Sequence, residues 1–197
     1  MTAGYGHDCD DAGVIDAVTV RVMMPSEYAE MRGVAVEAFD GDDHIGVLID
    51  ELRASWCWDD DLSFVAVHDD AVVAQVLYTR ALLDAPERLE PVLVLSPVGV
   101  RPDLQRRGIG TRLITESLDA LTGRPEALVF LEGSPTLYPK LGFTPAVAAG
   151  FAPPSDRIPE PAFQFFSLHD SAARLTGRLV YPDPFWRTDS VGLRDDG

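Results

Sequence analysis

Hydrophobic and polar positions along the chain fall into two periods, and their order predicts the elements. Val18 to Met24 alternates and predicts a first strand. Pro25-Ser26-Glu27 then reads as a helix start with Ser26 as its cap, and Tyr28, Met31, Ala35, Ala38 and Phe39 follow at helical spacing. A second short helix begins near Asp42-Asp43 and buries Ile45, Leu48, Ile49 and Leu52. Leu62 to Val67 and Val72 to Thr79 are strand-like runs joined by His68-Asp69-Asp70-Ala71, which reads as a hairpin with a tight acidic turn. Residues 81–90 read as a loop before an apolar run, Val92 to Val100, that predicts a buried central strand.

A turn at Arg101–Asp103 leads into Gln105-Arg106-Arg107-Gly108-Ile109-Gly110, where Ile109, Leu113, Ile114, Leu118 and Leu121 share one helical face. Gly123-Arg124-Pro125 breaks that helix, and Ala127 to Leu131 predicts a short buried strand parallel to the central one. Ser134-Pro135 resembles a cap and first turn, Pro139 keeps the helix that follows short or distorted, and Gly142 stops it. Residues 144–161 read as one long loop, and Phe163 to Leu168 and Leu175 to Tyr181 as a closing pair of strands. Beyond Pro182 the chain is polar and proline-bearing, with Phe185 and Trp186 placed to tuck back on the body.

Composition narrows the class without naming a chemistry. The 197 residues suffice for one domain with a sizeable core, and 46% hydrophobic with 24% charged residues is ordinary for a globular protein. One domain over 17–186 is expected, with an acidic disordered tail over 1–16 and a polar tail over 187–197. The net charge of −16 argues against nucleic acid as a partner and suits a cationic one. Cys9 and Cys57 form neither a metal spacing nor a disulfide framework, so no metal is expected. No apolar run is long enough to span a membrane and the start lacks a secretion signal, so a cytoplasmic location without membrane partners is expected. A homodimer is the default oligomer.

The informative stretch is the strand–turn–helix at 92–121. A helix start presents N–H groups without intrahelical partners and the positive end of the helix dipole, which together suit an anion. Gly108 and Gly110 let a phosphate approach the backbone where a Cβ would hold it off. The spacing Gln105-x-x-Gly108-x-Gly110 resembles the pyrophosphate loop of the GNAT superfamily of acyl-CoA-dependent N-acetyltransferases. Tyr138-x-x-x-Gly142-Phe143, about thirty residues on, resembles that family's final helix-to-strand signature. Gly133-Ser134-Pro135 and Gly177-x-x-x-Tyr181 are similar to elements of the YhbS-like group within it, and the likeness runs from about Val18 to Phe185. The order of predicted elements agrees.

The resemblance implies the GNAT fold, an α/β (α+β) architecture with a mixed, mostly antiparallel sheet, a central parallel pair and flanking helices. It implies acetyl-CoA as acyl donor, an amine-bearing acceptor as partner, and direct attack of a primary amine in a ternary complex. Val98, Gly99 and Val100 would hold the pantetheine arm through the backbone and polarise the thioester carbonyl; without a ligand they are ordinary ladder partners. Gln105, Arg106, Arg107, Gly108, Ile109, Gly110 and Thr111 would receive the pyrophosphate, the two arginines being equally at home in solvent. Tyr138 would be the general acid for the leaving thiolate, its alternative being a core tyrosine. Ser134 either serves the cofactor or caps its helix. For the general base Glu132, Glu37 and His68 all stand open, none with a spacing argument. The same features would also serve a non-catalytic acyl-CoA-binding sensor domain. A nucleotide site of the P-loop or dinucleotide type is disfavoured, because neither Gly-Lys-Ser/Thr nor the three-glycine fingerprint occurs.

Overall fold

A computed structural model of the protein describes residues 17–192. The expected acidic tail over 1–16, and Cys9 with it, lies outside the described residues, as does 193–197. Nine strands form one sheet: β1 (Thr19–Val22), β2 (Ser63–His68), β3 (Ala71–Asp84), β4 (Leu89–Val100), β5 (Leu128–Glu132), β6 (Thr144–Pro145), β7 (Phe151–Ala152), β8 (Phe163–Ser167) and β9 (Gly177–Val180). Helices α1 (Tyr28–Ala38), α2 (Asp43–Arg53), α3 (Ile109–Ala120) and α4 (Asp183–Arg187) cover it. The strand order is β1-β2-β3-β4-β5-β8-β6, antiparallel along this path except for the parallel pair β4–β5. This is the mixed, mostly antiparallel architecture expected.

Alternation along the central strands sorts their side chains onto two faces. Leu93 and Leu95 of β4 and Val129 and Leu131 of β5 pack with Ile109, Leu113, Ile114 and Leu118 of α3. Val92 and Val94, Leu128 and Phe130 point the other way, to a second cluster that includes Leu48 and Leu52 of α2 and Phe185 of α4. Because both faces are covered, β3 and β4 are buried over most of their length. The α1–α2 hairpin is clamped by Arg32, which bonds Asp50 at 3.0 Å and Asp43 at 3.1 Å and lies over Gly46. Glu30 of α1 accepts the Val72 N–H at 2.9 Å and ties the hairpin to β3.

Several local expectations are corrected. Ser26 caps nothing: it lies in a 3₁₀ turn, Pro25–Glu27, and the Glu27 carboxylate takes the Met24 N–H at 2.8 Å while pairing with Arg21. Residues 81–90 are not a loop, since β3 runs to Asp84 and β4 starts at Leu89, with Asp84 opposite Leu89. Ala81 and Leu83 are buried, so the ladder is worth continuing. The expected loop over 144–161 holds β6, β7 and two 3₁₀ turns, and buries Ala146, Phe151 and Ile158. The last two strands do not pair with each other. β8 sits between β5 and β6, whereas β9 pairs with β3 at Leu82 to Asp84. The reason is length: β2 covers the edge of β3 only as far as Leu77, the Cys57 carbonyl takes the Arg80 N–H at 2.9 Å, and β9 pairs with Leu82 to Asp84 beyond it. Phe185 is buried, Trp186 is 43% exposed, and the chain packs on the body as far as Val191 and Gly192.

Phe130 stacks on Phe163 at 5.6 Å and meets Phe151 edge-on at 5.1 Å, fully buried. Phe130→Ala is expected to lower the unfolding free energy by about 3–5 kcal/mol, read as a reduced midpoint in urea at unchanged slope.

Candidate active site

The site begins where two strands separate. β4 pairs with β5 only at Leu93↔Val129 and Val94↔Phe130. Beyond that point the β3–β4 register shifts: Tyr78 faces Leu95, but Val76 faces Val98, so Ser96-Pro97 is one residue too many on β4. Such a bulge bends its strand and turns it out of line with its neighbour. The last residues of β4 therefore keep β3 on one edge and have no strand on the other.

Which backbone groups reach that open edge follows from alternation. The Arg101 N–H donates to Val73 of β3 at 2.9 Å, so Gly99 also faces β3, while Val98 and Val100 face outward. The outward Val100 carbonyl accepts from the Gln105 side-chain amide at 3.1 Å, which folds the following loop back against the strand. Gly99 contributes by what it lacks. A Cβ there would stand 2.8 Å from that of Ala38 and 3.3 Å from the Gln75 amide, so α1 can cross β4 closely only over glycine.

The loop then turns into α3 through two left-handed residues, Arg106 (φ 62°) and Gly108 (φ 83°). The first intrahelical donor is Arg112, to the Gly108 carbonyl at 3.0 Å, so the N–H groups of Gly108 to Thr111 precede it without helical partners. At Gly110 a Cβ would meet Val100 Cγ2 at 3.3 Å. These groups, the open edge of β4 and the end of α1 bound a cavity of about 360 Å³.

Of the residues expected at the site, Val98, Gly99, Val100, Gln105, Arg106, Gly108, Gly110, Thr111 and Tyr138 line this cavity. Ile109 offers it only the start of the helix, because its side chain is buried against the sheet. Arg107 is half-buried and engaged within the protein. Ser134 acts as a cap: its hydroxyl accepts the Thr136 and Leu137 N–H groups, each at 3.3 Å, and it does not line the cavity. Ala38, Phe39, Leu137 and Leu141 line it as well and had not been anticipated. Helical spacing had marked Ala38 and Phe39 as facing inward, without saying toward what.

Tyr138 opens the 3₁₀ turn Tyr138–Leu141 and is 8% exposed, packed edge-on to Phe143 at 5.6 Å. A Cβ on Gly133 would collide with its ring, so the glycine makes its place. Gln164 holds the intervening turn by donating to the Gly133 and Ser134 carbonyls at 3.3 and 3.4 Å. Among the described residues the phenol has no hydrogen-bond partner, and burial pushes its pKa up. It therefore holds its proton across the neutral range.

Tyr138 also lines a second cavity, of about 500 Å³, lying between α2, the bulge of β4, the end of β5 and the chain after β9. Phe39, Val98 and Tyr138 belong to both cavities. Glu132 is the one candidate base that lines it; Glu37 is exposed on α1 and His68 closes the β2–β3 hairpin beside Asp69. Sequence reasoning missed the contribution of His44 and of Asp189, Ser190 and Gly192. Asp189, Ser190 and Gly192 sit in a polar stretch that carries no periodic signal, and His44, at the start of the periodic α2, belongs to no motif that marks it.

Comparison with known proteins agrees with this geometry. Residues 19–146 match the family described as an acetyltransferase (GNAT) domain. The chain belongs to the GNAT acetyltransferase family. Within it the chain is YhbS-like. It is similar to YhbS of Escherichia coli, solved in complex with CoA, at 26% identity and a TM-score of 0.78 over 87% of this chain and 93% of that one. A GNAT acetyltransferase of Brucella melitensis, solved with acetyl-CoA, is 27% identical with a TM-score of 0.68 over 85% and 97% of the two chains. An uncharacterized N-acetyltransferase of Escherichia coli (strain K12), YjhQ, is 28% identical over 84% of this chain and 93% of its own length. No helix among the described residues of this GNAT chain is long and apolar enough to cross a membrane, and no cluster of metal-binding side chains occurs there.

The phenols of Tyr138 and Tyr181 are both raised, chiefly by burial, and that of Tyr28 is pushed up to about 12. In the unfolded chain all three ionise near pH ~10. Their raised values in the fold add stability that is present below pH ~10 and lost as pH rises through them. Melting temperature is expected to fall steeply above pH ~10, and less steeply in Tyr138→Phe, in a thermal series monitored by circular dichroism.

Proposed function

We propose that the protein transfers the acetyl group of acetyl-CoA to a primary amine by direct attack within a ternary complex. The observation that carries this reading is that two cavities meet at Tyr138, Val98 and Phe39, where β4 leaves β5. One cavity suits the donor. Its N–H groups at the start of α3, with the helix dipole behind them, fit a pyrophosphate, and the outward edge at Val98 and Val100 fits an amide-bearing arm. The other cavity is left for the acceptor. The solved relatives that hold CoA and acetyl-CoA support the donor assignment.

Acetyl-CoA is a substrate here and supplies an acetyl thioester. The Val98 backbone lies where it can polarise the thioester carbonyl, an interaction strengthened by exclusion of water. A neutral amine nitrogen reaches the carbonyl carbon from the acceptor side. The nitrogen–carbon bond forms and the carbon–sulfur bond breaks; the departing sulfur takes the proton of the Tyr138 hydroxyl. The resulting phenolate is returned to the phenol by the proton that the new amide nitrogen gives up. A buried phenol with no competing hydrogen bond is suited to this double role.

The decisive experiment is a calorimetric titration with acetyl-CoA of the wild type beside Gly110→Glu. Micromolar binding by the wild type is expected. The variant is expected to bind at least ~30-fold more weakly, since it places a carboxylate and added bulk where each factor of ten corresponds to ~1.4 kcal/mol. Tyr138→Phe is expected to bind acetyl-CoA normally and to lower turnover with amines by about 100-fold. Absence of wild-type binding would overturn the reading.

A further inference from the structure

The acceptor cavity has a chemistry of its own. Its walls are largely apolar, formed by Phe39, Ile45, Leu48, Leu95, Pro97 and Phe185. Among its lining residues there is no arginine or lysine; the charged groups are Glu132 and Asp189, with His44 beside them. Asp189 is paired with Arg157 at 2.9 Å. Among the described residues Glu132 has no such cation bonded to it. It stands at the end of β5, accepts the Gly192 N–H at 3.0 Å, and with the buried Tyr181 lines the cavity that Tyr138 closes from the other side.

One wall is a strap of chain, fixed at several points. Gly192 is bonded to Glu132, the Ser190 hydroxyl contacts His44 Nε2 at 2.9 Å, and Asp189 holds Arg157. Val191 is buried in the same stretch. The strap is one wall of the cavity, and about 500 Å³ is in the range that small ligands occupy.

Resting on the acetyl-transfer reading above, we infer that this cavity takes a compact primary amine with an apolar body and no acidic group, and that Glu132 receives its ammonium. The Glu132 carboxylate accepts one proton from the ammonium, leaving the nitrogen lone pair free to attack; that proton later passes to water. An acceptor carrying a carboxylate or phosphate would meet the Glu132 carboxylate, while Arg157 is already engaged by Asp189 at 2.9 Å. Burial lifts the Glu132 carboxyl above the ordinary carboxylate range, while Tyr181, the Gly192 N–H and Arg157 act in the opposite direction. His44, Asp189 and Tyr138 are the other ionisable groups facing the same space.

The test uses the full chain and free-thiol release from acetyl-CoA. Benzylamine, phenylethylamine and hexylamine are compared with free amino acids, glucosamine 6-phosphate and lysine-containing peptides. The apolar amines are expected to exceed the others in kcat/KM by at least 100-fold. Glu132→Gln keeps an acceptor for the Gly192 N–H; it is expected to bind acetyl-CoA as the wild type does, to lose about 100-fold in kcat, and to lose the acidic limb of the pH profile. That limb reflects protonation of the base, so wild-type activity falls as pH drops through the Glu132 value. Preference for peptides, amino acids or the phosphate overturns the inference, as does an acidic limb retained by Glu132→Gln. Acetyl-CoA binding with no turnover of any apolar amine overturns it while leaving donor binding intact. Failure of the wild type to bind acetyl-CoA removes the transfer reading itself. Should Glu132→Gln not fold, the wild-type panel alone decides.

Discussion

Everything at the site depends on β4 being shared by two partners for only part of its length. A parallel pair held at two positions and then released cannot close over its own end, and the extra residue at Ser96-Pro97 bends the strand away. The released edge has backbone groups with no ladder partner on that side, which a buried protein interior would not tolerate but a ligand can satisfy. The gap also separates the two cavities and lets them communicate at Tyr138. Both cavities are thus consequences of one interruption in a sheet.

Supporting that interruption requires close packing nearby. α1 crosses β4 over Gly99, and Tyr138 occupies the space vacated by Gly133. α3 starts at left-handed Gly108 and approaches Val100 through Gly110. At each of these points a missing Cβ sets the distance between two elements. The electrostatic character follows from burial: Tyr138 holds its proton tightly, and Glu132 is less readily ionised than an exposed carboxylate. Burial therefore favours the protonated form of both groups in one compartment.

The donor side was legible in the sequence because its signals are local. A strand, two glycines at fixed spacing and a periodic helix lie within residues 92–121, and backbone N–H groups need only that geometry. Tyr138 was legible from its spacing to Gly142 and Phe143. The acceptor side was not, because it is assembled from His44, Glu132, Tyr181 and Ser190, which only the tertiary fold brings together. Of Glu132, Glu37 and His68, only the fold could tell which one lines that cavity, and it is Glu132. Likewise 81–90 read as a loop because Pro86, Glu87 and Arg88 interrupt the alternation, although the ladder continues on both sides of them. β9 could not be placed from its own residues, since the edge it fills exists only because β2 is short.

The two ends of the sheet path are β1, with four residues, and β6, with two, of which Pro145 has no N–H to give. Such edges are poor templates for an incoming strand. β9 meanwhile covers the stretch of β3 that β2 leaves bare, so an otherwise inviting length of unpaired backbone is closed within the chain. The protein thus keeps a deliberately broken sheet at its centre while offering little at its margins for aggregation. Association between copies by extending the sheet is disfavoured by the same construction.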